Sequence, residues 1–193
     1  MRVSYNKHNR LLITPPPMPF VIQWTTHCAG PENLLTLNTP AGDLLVTMSN
    51  NTITRADWLI SPTDASTALA PTANHPLQQL LSSYWQNPHT IFTITLLEQG
   101  SSYRRKVWQQ LSATALGETL SYAALASQIG SAARPVGNAC RDNPYPLFIP
   151  CHRVVAAHGP GGYCGQTTGA LMAIKARLLA YEASFNLAIS SKA

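Results

Sequence analysis

The chain has 193 residues, enough for one large domain or two small ones and too many for a mini-protein that needs staples. Hydrophobic residues make up 45%, which supplies a buried core and excludes wholesale disorder, while charged residues are only 11%, against about 25% in a typical globular chain. The net charge of +5 is unevenly placed: residues 1–100 hold 4 basic and 5 acidic side chains, and residues 101–193 hold 9 and 3. The C-terminal half therefore points to a polyanionic partner.

Residues 1–20 read as an irregular tail, because Pro15, Pro16, Pro17 and Pro19 suit neither helix nor sheet interior. Its basic residues Arg2, Lys7 and Arg10 precede only Leu11–Ile13 as an apolar run, too short for a signal peptide. No stretch approaches the ~18 apolar residues of a membrane span. From Leu34 to Ile60 the texture is β: Leu35, Leu37, Leu44, Val46 and Met48 alternate with polar residues around the turn Pro40–Asp43. Asn50–Asn51 marks a second turn, with a third strand over 52–60. Residues 61–76 read as an Ala/Thr/Pro-rich loop. A helix follows over 77–85, with Leu77, Leu80, Leu81 and Tyr84 on one face, then a strand over 90–97. Residues 21–97 thus form a small α/β domain, and no grouping of residues in it suggests chemistry.

From Ser101 the texture is helical. Tyr103, Val107 and Leu111 recur every four residues. Ser121 is an N-cap for a helix through Ile129, which Gly130 stops. A three-residue turn and a helix over 133–142 complete a helix-turn-helix pattern. Asn143–Pro144–Tyr145–Pro146 ends the unit, since each proline disfavours helix in the residue before it. Leu147–Ile149 reads as a short apolar strand running into Pro150–Cys151–His152–Arg153–Val154. Pro160–Gly162 is a loop, and 171–185 the last helix, with Leu171, Ile174, Leu178 and Phe185 on one stripe. The domain spans 101–185, and 186–193 is a tail.

The cysteines at 28, 140, 151 and 164 form no CxxC pair and no zinc spacing, and are too few for a disulfide scaffold. No metal is expected, and a reducing, cytoplasmic setting leaves a thiol free to react. Cys151–His152 is the notable pair, because a thiol is nucleophilic only as the thiolate and an imidazole can take its proton. Taken alone, such a dipeptide is most often a buried thiol beside a satisfied histidine. On an extended segment the two side chains would face opposite ways, so a bridging water suits them better than direct contact.

Asn143–Pro144 followed by Ile149–Pro150–Cys151–His152–Arg153–Val154–Val155 resembles the active-site signature of the O6-alkylguanine-DNA alkyltransferases, also called methylated-DNA–protein-cysteine methyltransferases. Gly100–Leu111, Ser121–Tyr122 with Leu125–Ala126, Ala133–Gly137, Gly162–Tyr163, and Lys175 with Leu178–Leu179 and Glu182 extend the likeness over the C-terminal half. Thr39–Pro40 and the hairpin after it extend it more faintly into the N-terminal half. The resemblance implies an α+β fold of two domains, a ribonuclease-H-like N-terminal unit and a mainly helical C-terminal unit with the helix-turn-helix.

The same resemblance implies a suicidal DNA-repair reaction, without cofactor. Cys151 would keep the alkyl group, His152 would relay its proton through water, Glu182 would hold the imidazole, and Asn143 would brace the turn. Tyr122 would donate to guanine N3. Arg134 would enter the stack in place of the extruded nucleotide, while Ala133, Gly137, Tyr122 and Arg141 meet the DNA. Pro146, Val154, Tyr163 and Cys164 would line the pocket with Cys151, Cys164 acting through its amide. The implied partner is double-stranded DNA carrying O6-alkylguanine, with O4-alkylthymine a further candidate. A monomer with no membrane and no obligate protein partner is expected.

The chain departs from the family pattern in a shortened turn between Gly130 and Arg134, in Pro135, and in Gln166 with the residues inserted after it. A recognition helix that starts near Ala133 would put Pro135 in its first turn, where proline is tolerated; an earlier start would kink it. A lesion binder without transfer chemistry, a helix-turn-helix regulator and a cysteine hydrolase are the other readings. The first lacks the cysteine that is present here, the regulator would bring a four-cysteine zinc module, and the hydrolase needs a distant histidine and an oxyanion hole.

Overall fold

The computed structural model describes residues 3–5, 11–13, 20–60, 74–87 and 90–190. Strands β1 (Val3–Tyr5) and β2 (Leu11–Ile13) pair antiparallel, so the expected irregular tail contains a short hairpin. Its two strands fall on either side of residues 6–10, ahead of the prolines that suggested irregularity. Those prolines, and residues 61–73 of the expected loop, lie outside the described residues.

The N-terminal half is built on a five-stranded mixed sheet. Strand β3 (Phe20–Thr25), which carried no signal beyond a short apolar stretch, forms one edge. Strands β4 (Glu32–Thr39), β5 (Gly42–Ser49) and β6 (Thr52–Trp58) are an antiparallel meander with Leu37 opposite Leu44 and Val46 opposite Ala56. Strand β7 (Phe92–Leu97) lies parallel to both β3 and β6, giving the order β3-β7-β6-β5-β4. Helix α1 (Pro76–Gln86) starts at Pro76, one residue inside the expected loop, because His75 caps it: Nδ1 accepts from Leu77 N at 3.2 Å. Its buried residues are Leu77, Gln78, Leu81 and Tyr84, while Leu80, expected on the same face, is half-buried.

The C-terminal half is mainly helical. Helix α2 (Ser102–Ser112) buries Val107, Trp108 and Leu111. A two-residue strand β8 (Leu120–Ser121) pairs with β9 (Val154–Val155), and Ser121 Oγ caps helix α3 (Tyr122–Gln128) by accepting from Ala124 N at 3.0 Å. Gly130 ends that helix at φ +63°, a conformation open to glycine at no steric cost. Helix α4 (Ala133–Arg141) begins at Ala133, so Pro135 is its third residue and sits in the first turn without a kink. Helix α5 (Ala170–Ser190) runs past the expected end at Phe185 and into the expected tail. None of these helices is long and apolar enough to cross a membrane.

Two expectations fail between α4 and β9. Leu147–Ile149 is a turn and not a strand, with Leu147 at φ +77° and an isolated bridge between Pro146 and Ile149. Cys151–Arg153 is a single turn of 3-10 helix and not extended chain. The closely spaced prolines 144, 146 and 150 withhold the amide donors that a continuing ladder would need.

One hydrophobic core joins the two halves. Polar contacts hang the loop that precedes the cysteine on the sheet. Ala56 N donates to Pro144 O at 2.9 Å, and the Tyr145 hydroxyl donates to Leu97 O at 2.6 Å while accepting from Gln99 Nε2 at 2.5 Å. Burial draws the Tyr145 phenol up to about 12, so it stays a protonated donor.

Candidate active site

The 3-10 turn puts Cys151 at the wall of a cavity of about 170 Å³, lined among others by Tyr122, Gly137, Cys140, Gly162, Tyr163 and Cys164. The thiol is buried. Asn143, the first residue past the C-cap of α4, holds this turn from three sides. Its Nδ2 donates to Ile149 O at 2.9 Å and to Cys151 Sγ at 3.1 Å, while its Oδ1 accepts from Tyr145 N at 3.0 Å. Cys151 lies below the usual thiol range. The neighbouring Cys164 side chain is the largest cause, burial opposes, and Asn143 and the nearby Lys175 charge add to the lowering.

Behind the cysteine lies a buried charge cluster. His152 Nε2 meets Glu182 Oε1 at 2.8 Å, and Arg153 reaches the same carboxylate with Nε at 2.9 Å and Nη2 at 2.8 Å. Arg153 Nη1 donates to Thr114 O at 2.6 Å, and Gly117 N donates to Glu182 Oε2 at 3.2 Å. Burial alone would raise the Glu182 carboxyl, but His152 and Arg153 overcome it and hold the group at about 2. His152 is lowered as well, but here burial is the cause, and the attraction of Glu182 only partly compensates. The ring is therefore neutral near pH 7. With Nε2–H given to Glu182, the basic lone pair is on Nδ1, which is buried and has no hydrogen-bond partner among the described residues.

Lys175, completely buried on α5, gathers the far wall. Its Nζ donates to Val154 O at 2.6 Å, Pro160 O at 2.6 Å and Gly162 O at 2.9 Å. The Tyr122 hydroxyl makes a long bond to Gly162 O at 3.4 Å, and burial raises its phenol. Gly161, at φ +69°, leaves space that a Cβ would fill 3.0 Å from the Tyr122 ring.

The helix-turn-helix lies beside the cavity mouth. Helix α4 buries Val136, Ala139 and Cys140 and exposes Ala133, Arg134 and Arg141, with Gly137 half-buried between them. Arg134 carries no ion pair among the described residues, whereas Arg141 pairs with Asp142 at 3.2 Å. The turn is pinned by α2: Tyr103 Oη and Ser131 Oγ share a hydrogen bond at 2.7 Å, Lys106 Nζ donates to Ile129 O at 2.8 Å, and Trp108 Nε1 donates to Ala139 O at 2.8 Å.

The residues expected from the sequence are therefore distributed as follows. Cys151, Tyr122, Gly137, Arg141, Tyr163 and Cys164 converge on the cavity. His152, Glu182 and Asn143 stand behind Cys151, and Ala133 and Arg134 on the outer face of α4. Pro146 lies instead on a neighbouring cleft with Arg55, Asp57 and Trp58. Val154 is fully buried and contributes its carbonyl, already engaged by Lys175. Sequence reasoning gave no role to Arg153 or Lys175. A signal existed for Lys175, since it adjoins Ile174 on the apolar stripe of α5, where a charge needs a partner. It also missed Trp58, whose Nε1 donates to the Tyr163 hydroxyl at 2.8 Å, so the N-terminal sheet does reach the site.

Comparison with known proteins gives concordant results. Residues 102–184 match the family described as 6-O-methylguanine DNA methyltransferase, DNA binding domain. The chain is 34% identical over 158 residues to the constitutive methylated-DNA–protein-cysteine methyltransferase of Bacillus subtilis, covering 76% of this chain and 93% of that one. It is 36% identical over 167 residues to the human methylated-DNA–protein-cysteine methyltransferase, covering 76% and 78%. Among solved structures, O6-methylguanine methyltransferase of Mycobacterium tuberculosis superposes with a TM-score of 0.62 at 29% identity, over 79% of this chain and 93% of that one. The structure of the same organism's protein in complex with DNA superposes with a TM-score of 0.56 at 28% identity, over 79% and 98%.

Proposed function

Because this chain belongs to the methylated-DNA–protein-cysteine methyltransferase family, we propose that Cys151 is the cysteine that accepts the alkyl group, and that O6-alkylguanine in duplex DNA is the donor. The chain is a DNA-repair methyltransferase that consumes itself in one turnover. The observation that carries the assignment is the Cys151 thiol itself, set in a cavity wall with a hydrogen-bond donor on its sulfur and a neutral His152 bonded to the Glu182 carboxylate behind it.

In the reaction the Cys151 proton passes through a water to His152 Nδ1, and Glu182 stabilises the imidazolium that results. The sulfur then attacks the alkyl carbon. An S–C bond forms, the C–O6 bond breaks, and its electron pair leaves with the guanine, which the Tyr122 hydroxyl stabilises at N3. The thioether is stable, so no step returns the thiol.

The substrate atom is inaccessible inside a duplex, and unstacking the nucleotide costs a few kcal/mol. Arg134 supplies the compensating plane in the stack. The small residues Ala133 and Gly137 let α4 approach a minor groove, Arg141 adds a phosphate contact, and Tyr163, Cys164 and the carbonyls of Cys151 and Val154 border the flipped base. O4-alkylthymine would present the same kind of oxygen-bound alkyl carbon. The protein acts as a cytoplasmic monomer. The division into 21–97 and 101–185, with the first unit ribonuclease-H-like, is part of the same reading; a mixed sheet with a three-stranded meander and a helix beside it supports it.

Intact mass after incubation with a duplex carrying O6-methylguanine tests the assignment. One methyl group (about 14 Da) per protein, saturating at one equivalent and absent in Cys151→Ala, is the expected result. Tight lesion binding with no gain in mass would instead favour a lesion binder, and turnover beyond one equivalent would exclude the suicide reaction.

A further inference from the structure

Between Glu118 and Glu182 the sequence has one acidic residue, Asp142, against the basic Arg134, Arg141, Arg153, Lys175 and Arg177. Asp142 is the C-cap of α4, the end of a helix where the dipole disfavours a carboxylate. Its side chain turns instead to two arginines. Arg104 Nη2 of α2 donates to Oδ2, and Arg141 Nε of α4 donates to Oδ1 at 3.2 Å. Burial alone would raise the Asp142 carboxyl, but the two guanidiniums overcome it and hold the group below the usual carboxylate range, ionised at neutral pH.

Nearby arginines each have an acid to themselves: Arg105 pairs with Glu98 at 2.7 Å, and Arg55, across the cleft that Arg141 and Asp142 line, pairs with Asp57 at 2.9 Å. Arg104 and Arg141 share one acid, so the trio keeps a surplus of positive charge. Their side chains are 43% and 58% exposed, against 26% for Asp142, which leaves guanidinium edges open to solvent. Arg141 follows Arg134 by two turns on the exposed face of α4. Its stem crosses the turn at Gly165, where a Cβ would lie 3.1 Å from Arg141 Cγ, and it borders the cavity that holds Cys151.

We propose that Arg104 joins Arg141 in a site for one backbone phosphate of duplex DNA, and that Asp142 competes with that phosphate for both arginines and so limits the grip on undamaged DNA. This rests on α4 being the DNA-facing helix of the proposed function. Guanidinium forks match carboxylate and phosphate oxygens alike, so an oxyanion on which arginines from two helices converge marks a place that a phosphate fits. A phosphate there takes the exposed N–H donors and meets the Asp142 charge at close range, which cancels part of the attraction. Counterion release follows the net positive charge brought to the DNA, so the acid also flattens the salt dependence.

The test is binding of an undamaged, fluorescein-labelled duplex, read by anisotropy from about 50 to 200 mM salt. Asp142→Asn, which keeps the shape and removes the charge, binds about fivefold tighter than the wild type at the low-salt end, the upper range for a surface ion pair. Its slope of log K against log salt steepens by about 0.9, the share of one phosphate. Asp142→Ala does the same, and Asp142→Glu stays within about twofold of the wild type. In an Arg104→Gln/Arg141→Gln background, Asp142→Asn gains less than about twofold, because the arginines that the acid holds are gone.

If neither Asp142→Asn nor Asp142→Ala binds tighter, or if the slope does not steepen, the proposal is overturned and the acid only orients its arginines. An equal gain in the background without the two arginines also overturns it, since the acid then acts on the whole face and not on this site. Loss of folding weakens binding, so a tighter and steeper curve cannot arise from it. Binding to undamaged DNA needs no alkyl group, so failure of wild-type Cys151 to gain a methyl group from the O6-methylguanine duplex would count against the proposed function separately.

Discussion

Glu182 Oε1 accepts from His152 Nε2 at 2.8 Å, and the same carboxylate takes the guanidinium of Arg153. One buried acid therefore sets the tautomer of the proposed base and neutralises the residue beside it. Glu182→Gln removes the charge with little change of shape. Single-turnover methyl transfer to Cys151 should slow on the order of 10²-fold, since the imidazolium loses its partner. The urea midpoint should also fall, by about 3 kcal/mol of stability, because Arg153 is left buried and uncompensated. An unchanged transfer rate would remove the pair from the mechanism.

The same group makes stability depend on acid. Glu182 is held at about 2 in the folded chain, below the ~4.3 of a free glutamate. A depressed folded value means that its contribution is complete above the unfolded value and is lost as pH falls toward the folded one. His152 is depressed too, so its contribution is complete above the unfolded ~6.5 and declines below it. Urea midpoints should thus begin to fall below about pH 6.5 and fall again between about pH 4 and 2. The second decline should be blunted in Glu182→Gln, and equal slopes there would contradict the assignment.

Asn143 makes three buried hydrogen bonds, one of them to the Cys151 sulfur. Asn143→Ala should cost about 1–3 kcal/mol, the price of a lost donor and an unpaired Tyr145 amide. It should also raise the Cys151 thiol, because a donor to the anion is gone. Methyl transfer should then slow about tenfold at pH 7 and recover as pH rises through the new value. A rate deficit that is the same at all pH values would indicate misplacement of the sulfur and not loss of thiolate.

Arg134 is exposed on the outer face of α4, apart from the charge cluster around Cys151. Arg134→Ala should slow repair in duplex DNA by on the order of 10-fold or more, through lost support of the extruded state. Transfer from free O6-benzylguanine, which needs no extrusion, should change by less than about twofold. Equal losses on the two substrates, measured as single-turnover rates, would remove Arg134 from the stack.

Much of the fold was legible because its signals are local. The alternation of Leu44, Val46 and Met48 marked β5, and Ser121 with Gly130 bounded α3 to within a residue. Even Pro135 could be placed, since proline is tolerated only in a first turn. What failed was also local in origin. Leu147–Ile149 is apolar because it is buried, and apolar runs of that length do not distinguish strand from turn; the positive φ of Leu147 decides it. The opening charge count located the basic half, but two of those charges are internal. Arg153 and Lys175 are fully buried and bind Glu182 and three backbone carbonyls, so they are not available to phosphates.

The sequence by itself determined the helix-turn-helix, the four strands β4 to β7, and the Pro150–Val154 stretch that carries the proposed nucleophile. Each depends on neighbours within a few residues, where capping, periodicity and motif spacing act. Only the tertiary structure decided which remote side chains meet around that stretch. Trp58 and Tyr163 are 105 positions apart, and Arg153 and Glu182 are 29. No local propensity records such pairs, because they arise when burial forces each remote donor to find an acceptor. The N-terminal half, which offered no residues for chemistry when read alone, becomes part of the site through that requirement.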